Sequence, residues 1–480
     1  MPLIKSISGL RGTVVPSDGE YLSVTEVINF TRAYCLWLKK RAADKNTDAE
    51  RLSIIVGCDG RRSGQSIIEI VTFAATMSGI NVLYFAYNPT TPTVAMSIIK
   101  SRKKGNSAVY GGIMITASHN PEEWNGLKFF NEEGEFLSAS DAECLMLLAQ
   151  QMSIIDFPIP TNEEKGKSIL HQYALQDHAK AIAKLQLVQV KPIKRAKFRV
   201  AVDAINSAGG RAVPRLLHRL GVKDVVVLNE NMNQTPQFAH NPEPLPENIT
   251  ELRQYVVDNG FDVGFAVDPD VDRLAIVCEN GEPFGEEYTL AAVADYVLQY
   301  QKGKTVSNLS SSQVLKLVTQ KHCCQYYASA VGEVNVVEIM KSTKAVIGGE
   351  GNGGIIYPAL HYGRDALVGI ALFLSFLAQE KCTVSQLRAR YPNFYMAKNK
   401  IQLPQNCDMS AILQNIQQKY QHLDCIDIDG LKIYLPDDQW VHLRKSNTEP
   451  IIRIYAESKK QSDADALTEQ IINDIQEIVQ

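Results

Sequence analysis

DPDVDR, at 268–273, sets three carboxylates at alternate positions directly after the apolar run VGFAV. Alternate side chains of an extended segment leave on the same side, so Asp268, Asp270 and Asp272 would converge. Clustered carboxylates repel one another unless a cation sits among them, and oxygen donors suit a hard ion, Mg2+ or Ca2+. A solvated polar turn is the plainer alternative. Glu279 falls at the twelfth position, as in an EF-hand, but the sixth position is Arg273 rather than glycine and the following LAIVC reads as a strand.

TASHNP, at 116–121, puts Ser118 and His119 side by side on a proline-closed turn after Ile113–Ile115. Serine is a weak nucleophile without a base or metal. Adjacent side chains on an extended loop diverge, so a Ser118–His119 dyad is not expected, and no G-x-S-x-G elbow surrounds Ser118. Phosphoryl chemistry fits better: a hydroxyl to carry the phosphate, a divalent ion, and cations to neutralise charge. Lys128 could act as such a cation or as a proton-transfer group. An isolated Ser-His pair is an ordinary turn; its weight here comes from the acidic loop and a basic one. The basic loop is RKSNTEPIIRIY, 444–455, where Arg444, Lys445, Ser446, Asn447 and Thr448 are followed by Arg453 on the next strand. Guanidinium forks mixed with neutral donors recognise oxyanions. A capping box from Ser446 to Glu449 is the alternative; Pro450 and the β-branched run after it favour a loop entering a strand. GGEGNGG, 348–354, would let the backbone approach a ligand. Glu350 and Asn352 could bond sugar hydroxyls there, and a flexible turn explains the loop equally well.

Three segments share one pattern, an apolar run ending in Asp: SIIVGCDGRRSG, FRVAVDAINSAGG and VGFAVDPDVDRLAIV. Each predicts a buried strand with polar residues at its carboxyl end. Helical stretches such as SIIEIVTFAATMSG and GGRAVPRLLHRLG follow, which indicates α/β architecture with mixed or parallel sheets. Ligands of such sheets sit outside the carboxyl ends of the strands. SIIDFPIPTNEEKGK (153–167) reads as a linker, and TPQFAHNPEPLPEN (235–248) interrupts the next unit. The last hundred or so residues carry alternating strands and then an amphipathic helix, a small α+β domain.

The 480 residues suggest roughly three domains. Net charge is −4 with no charge block, which gives nucleic-acid binding little support. Nine cysteines have no framework spacing and read as reduced thiols in a cytoplasmic protein. The start, MPLIKSISGLRGT, lacks an apolar signal region. ALVGIALFLSFLA (366–378) is too short to span a bilayer and reads as a buried helix.

Together these motifs resemble the α-D-phosphohexomutase family, in the family's order and over nearly the whole chain. TASHNP with NGLKFF looks like the phosphoserine loop, DPDVDR the metal loop, GEGNGG the sugar loop, RKSNTEP the phosphate loop, and SGLRGT the opening glycine–arginine segment. The resemblance implies three similar α/β domains with mixed sheets and a smaller C-terminal α+β domain around a central cleft. The boundaries expected are 1–155, 156–260, 261–378 (with the metal and sugar loops) and 379–480, with one strand–Asp segment in each α/β domain. It implies an intramolecular phosphotransferase: phosphorylated Ser118 gives its phosphoryl group to a sugar monophosphate, and the hexose bisphosphate reorients and returns the other phosphate. Mg2+ would be held by Asp268, Asp270, Asp272 and the Ser118 phosphate. Arg11, His119, Lys128 and Arg273 match active-site positions, with Lys128 the candidate for proton transfer. Glu350 and Asn352 fall where sugar hydroxyls are read; Arg444, Ser446, Asn447, Thr448 and Arg453 fall where the non-transferring phosphate is held. A closing C-terminal domain could keep water from the phosphoserine.

Two departures bear on the substrate. Many bacterial relatives carry GE-x-S-G-H, where this chain has Asn352 and Gly354, and VGEVNVV puts Glu333 where related enzymes carry histidine. An acidic residue there suits the ammonium of glucosamine, so glucosamine 6-phosphate and 1-phosphate are expected, with mannose or glucose phosphates as the alternative. A metal-dependent sugar phosphatase and a non-catalytic sugar-phosphate binder are the readings from other classes. Partners expected are small sugar phosphates, with a homodimer left open, and neither nucleic acid nor membrane.

Overall fold

The computed structural model describes residues 3–15, 20–47, 51–103, 108–153, 156–230, 237–404, 407–445 and 451–479. Ser446, Asn447 and Thr448 lie outside the described residues.

Among the described residues, four sheets organise the fold. In the first, Ser53–Cys58 runs parallel to Asn81–Tyr84 and Val109–Ile115, and Val109–Ile115 pairs antiparallel with Trp124–Phe130. Ser53–Cys58 and Val109–Ile115 are buried along their whole lengths, as their continuous apolar runs demand of strands covered on both faces. Gly9–Thr13 pairs with Trp124–Phe130, setting Arg11 opposite Gly126, just beyond the serine turn. Helices Val24–Asp44 and Gly64–Met77 cover the sheet. The expected linker does not leave this unit at once: Ser168–Leu170 adds a seventh strand beside Asn81–Tyr84.

The second sheet has the order Leu274–Cys278, Val263–Val267, Arg199–Asp203, Asp224–Leu228. Val263–Val267 is parallel to Arg199–Asp203 and antiparallel to Leu274–Cys278. This corrects the expectation of one strand–Asp segment per domain. The second and third segments are neighbours in one sheet, so a boundary at 260/261 would divide paired strands, and the aspartate loop belongs with the second unit. The turn-rich stretch at 235–248 reads as a break because its prolines interrupt periodicity; its described part lies within the crossover between parallel strands. The third sheet is built on Thr305–Asn308, with Tyr326–Ser329 on one side and Ile347–Glu350 then Gly354–Ile356 on the other. Its central strand, TVSN, is short and polar and carries no apolar run.

The second and third units share one core. Helix Ala366–Glu380 is buried from Ala366 to Leu377, and Phe373 packs edge-on against Phe265 of the second sheet and Phe284. The C-terminal unit is a five-stranded antiparallel sheet covered by Gln461–Val479, which buries Leu467, Ile471 and Ile475. Among the described residues no helix is long and apolar enough to cross a membrane, and all nine cysteines are free.

The carboxyl ends of the strands meet at one place. The Ser207 hydroxyl accepts from the Gly60 N–H (2.8 Å) and donates to the Pro269 carbonyl (2.6 Å). One side chain thus joins all three strand–Asp loops.

Candidate active site

Ser118 sits in the left-handed region, φ 49°, a conformation that costs a non-glycine residue about 1–3 kcal/mol unless its surroundings impose it. Arg61 imposes it. Its side chain has no exposure and donates to the carbonyls of Ser118 (2.5 Å), Asn120 (2.8 Å), Pro121 (2.5 Å) and Trp124 (2.9 Å). Asp59 holds the guanidinium at 3.2 Å and accepts from the Thr116 hydroxyl at 2.6 Å, which in turn accepts from the Ser118 N–H at 2.8 Å. The loop so fixed delivers Ser118 Oγ to Asp268 Oδ2 at 2.9 Å. His119 Nδ1 is 3.4 Å from the same Oγ, long for a working O–H···N bond. Burial, then the neighbouring Arg273, pushes His119 down to about 2, so its imidazole is neutral.

Asp268, Asp270 and Asp272 are completely buried, and a ligand oxygen from each lies within 4.8 Å of the others. Convergence comes from a turn rather than from alternation along an extended strand: Val271 has φ 62°, and its N–H closes on the Asp268 carbonyl. Asp268 Oδ1 accepts from the N–H groups of Asp272 and Arg273 (3.0 and 3.1 Å). Asp270 Oδ2 accepts from Thr91 Oγ1 (2.6 Å) and Lys128 Nζ (2.7 Å), and Asp272 Oδ2 from Arg364 Nη2 (2.7 Å) and Lys128 Nζ (3.4 Å). The other oxygens, Asp270 Oδ1 and Asp272 Oδ1, are buried with no hydrogen-bond partner. A buried carboxylate oxygen left unmatched costs about 1–3 kcal/mol or more, and a divalent cation bound by these oxygens would remove that cost. The residues therefore fit a metal ion. Burial and the two neighbouring carboxylates raise Asp268 well above the ordinary range. Against burial, Arg364, Lys128 and Arg273 hold Asp272 below it. Lys128, despite its burial, is held as an ammonium by Asp270 and Asp272.

A second wall is cationic. Arg11 donates to Asn120 Oδ1 (3.3 Å) and Arg273 pairs with Glu243 (3.1 Å), while the Nε of each is buried without a partner. Burial, then the nearby charges of Arg273 and Arg453, lowers Arg11. Like charges with unfilled donors call for an anion. Arg453 lies opposite Arg444 in the C-terminal sheet. Arg444 forms an ion pair with Asp429 Oδ2 (2.8 Å), which also accepts from the Val331 N–H of the third unit (2.8 Å).

The glycine loop brings Glu350 and Glu333 to one partner. Glu350 Oε1 accepts from Asn308 Nδ2 (2.9 Å) and Gly332 N (3.2 Å), and Oε2 from Arg364 Nη1 (2.7 Å). Glu333, expected to stand open to a substrate ammonium, instead accepts from Arg364 N and Nε at 3.0 Å each. Asn352 Oδ1 accepts from Gly354 N (3.2 Å).

Arg61, Thr91, Ser207 and Arg364 went unmarked in the motif reading. Arg61 had a signal, since it lies in a quoted strand–Asp segment. Arg364 had none, because its partners lie up to 92 positions away.

Four family models match in chain order: phosphoglucomutase/phosphomannomutase alpha/beta/alpha domains I (residues 4–151), II (176–281) and III (285–394), and the C-terminal domain (399–474). The chain is 31% identical over 424 residues to a phosphoglucomutase/phosphomannomutase of Thermococcus kodakarensis, covering 88% of this chain and 89% of that one. It is 30% identical over 479 residues to a phosphoglucosamine/phosphogalactosamine mutase of Sulfurisphaera tokodaii, covering 98% and 99%. Its fold matches the crystal structure of a phosphoglucomutase/phosphomannomutase family protein from Burkholderia thailandensis with a TM-score of 0.78 at 22% identity, covering 98% and 95%.

Proposed function

The chain belongs to the phosphoglucomutase/phosphomannomutase family of phosphohexomutases, and we propose that it interconverts glucosamine 6-phosphate and glucosamine 1-phosphate through a phosphorylated Ser118. The observation that carries this reading is the 2.9 Å contact of Ser118 Oγ with a buried carboxylate triad that has two unmatched oxygens. Asp268, Asp270 and Asp272 would hold Mg2+ together with the Ser118 phosphate. When bound, the ion would supply charge neutralisation of the transferring phosphoryl group. Arg61 orients the serine loop. In the first transfer the Ser118 O–P bond breaks as a bond from phosphorus to the sugar oxygen forms; in the return transfer the bond from phosphorus to the other sugar oxygen breaks as the Ser118 O–P bond re-forms. The attacking hydroxyl gives up a proton and the leaving oxygen gains one, in opposite senses in the two transfers; the Lys128 ammonium would give its proton to the leaving oxygen and take the one released by the attacking hydroxyl. Arg11, Arg273 and Arg453, with Arg444, Ser446, Asn447 and Thr448, would grip the phosphate that is not being transferred, and Glu350 and Asn352 would face sugar hydroxyls. A hexose bisphosphate is the intermediate and primer.

Glucosamine is favoured by charge. Asp272, Glu333 and Glu350 share the Arg364 guanidinium, and Lys128 is divided between Asp270 and Asp272; four carboxylates against two cations leave a negative excess suited to an ammonium at C2. The similarity to the Sulfurisphaera enzyme over 98% of this chain points the same way. Mannose or glucose phosphates are the second reading, supported by the Thermococcus relative. A phosphatase would need water at Ser118, which is only 6% exposed. We place the enzyme in the cytoplasm.

The test is 31P NMR of the protein with Mg2+, a trace of hexose bisphosphate and equal glucosamine, glucose and mannose 6-phosphates. An anomeric phosphate growing first on glucosamine is expected. A faster anomeric product from another sugar would reassign the substrate, and growth of inorganic phosphate alone would make this a hydrolase.

A further inference from the structure

Arg364 is 9% exposed and uses Nε, Nη1 and Nη2 on three different carboxylates. Asp272 comes from the metal loop, Glu350 from the glycine loop, and Glu333 from the start of helix Glu333–Thr343. A guanidinium reaches three separated carboxylates from three different nitrogens held in one plane, whereas the three N–H groups of an ammonium radiate from a single nitrogen and cannot span the same acceptors. The backbone at 364 is fixed on both sides. Arg364 bridges to Ile356, and Asp365 caps the buried helix Ala366–Glu380 by accepting from Leu367 N (2.8 Å) and Val368 N (3.3 Å).

The path of this side chain crosses Gly354. A Cβ placed on Gly354 would lie 2.3 Å from Arg364 Cδ and 3.2 Å from Cγ. The last glycine of GGEGNGG is therefore required by packing, since any larger residue expels the arginine stem. The two positions form one device: the glycine vacates the space and the arginine fills it with charge.

We propose that Arg364, admitted by Gly354, is the specificity-determining residue of the sugar subsite. Resting on the mutase reading, the proposal assigns it the task of setting the positions of the Glu350 and Glu333 carboxylates against the sugar. Because each of its three nitrogens holds a different carboxylate, the side chain sets where those oxygens point and how much negative charge remains for the sugar at C2.

The experiment compares Arg364→Lys, Gly354→Ala and the double variant with wild type on glucosamine, glucose and mannose 6-phosphates, measuring kcat and KM for each. Both single variants should shift the ratio of kcat/KM between glucosamine and glucose phosphates by about tenfold or more, in the same direction and mainly through KM. The double variant should be little worse than either single one, because both changes disable one device. A common factor lost on all three sugars would make Arg364 merely structural and overturn the proposal, as would additive effects of the two substitutions. Wild type that turns over while the ratios stay fixed sinks this inference alone; wild type that makes no anomeric phosphate from any sugar sinks the mutase reading and this inference with it.

Discussion

At Ser118 a strained backbone, a buried guanidinium and a carboxylate triad act on one hydroxyl. Ser118→Ala takes one donor from Asp268 Oδ2 in a triad whose charge a bound cation would offset, so with Mg2+ present the melting temperature should stay within a few degrees while turnover disappears; retained activity would contradict the assignment. Arg61→Ala is a different case. It strands Asp59 and four carbonyls in a buried site, a loss on the order of 3–5 kcal/mol, readable by denaturant unfolding. Glu350→Ala should raise KM for the sugar phosphate while Mg2+ still binds by calorimetry, because Glu350 reaches the triad only through Arg364. These residues differ in how they announce themselves. Ser118 and the three aspartates stand in short runs whose chemistry is local, so the sequence displays them. Thr91 meets Asp270 across 179 positions, and Arg364 meets Glu333, Glu350 and Asp272 from the loop before helix Ala366–Glu380, which looks like any turn. Their roles exist only once the chain has folded. The Glu333 carboxylate shows the reverse error, since a side chain that looks free in sequence is already paired.

At the scale of elements, buried strands and helices were legible because apolar runs such as SIIVGC and ALVGIALFLSFLA leave little choice of environment. Which strands become neighbours was not. FRVAVD and VGFAVD carry the same pattern whether they share a sheet or not; long-range parallel pairing places them together. The shared core of the second and third units follows from Phe373. Phe373→Ala should cost about 3–5 kcal/mol and weaken hydrogen-exchange protection in both Val263–Val267 and Ala366–Glu380. Loss confined to the helix would contradict a common core. Contact with the C-terminal unit is titratable. His442 Nδ1 accepts from Ser310 of the third unit (2.9 Å), and Nε2 donates to the Asp429 carbonyl (2.8 Å). Burial pushes it down to about 4, against an unfolded value near 6.5. Below pH 6.5 or so the unfolded chain binds a proton that folded His442 declines. Stability from this residue is therefore full above that pH and lost as pH falls toward about 4. Urea unfolding at pH 7.5 and pH 5 should show a smaller acid loss for His442→Asn than for wild type; equal losses would remove His442 from the account.

The whole molecule places an acidic triad against a cationic wall whose outer members, Arg444 and Arg453, belong to the C-terminal unit. A bisphosphate that turns around needs such a layout, with one end at the triad and the other at the arginines. The central claim is that Ser118 carries a phosphoryl group that sugars accept. The most direct measurement is intact mass with peptide mapping after incubation with hexose bisphosphate and Mg2+, repeated after a chase with glucosamine 6-phosphate. The account predicts a single phosphate on Ser118 that leaves in the chase and is recovered on sugar. Phosphate on another residue, or released only as inorganic phosphate, would contradict it.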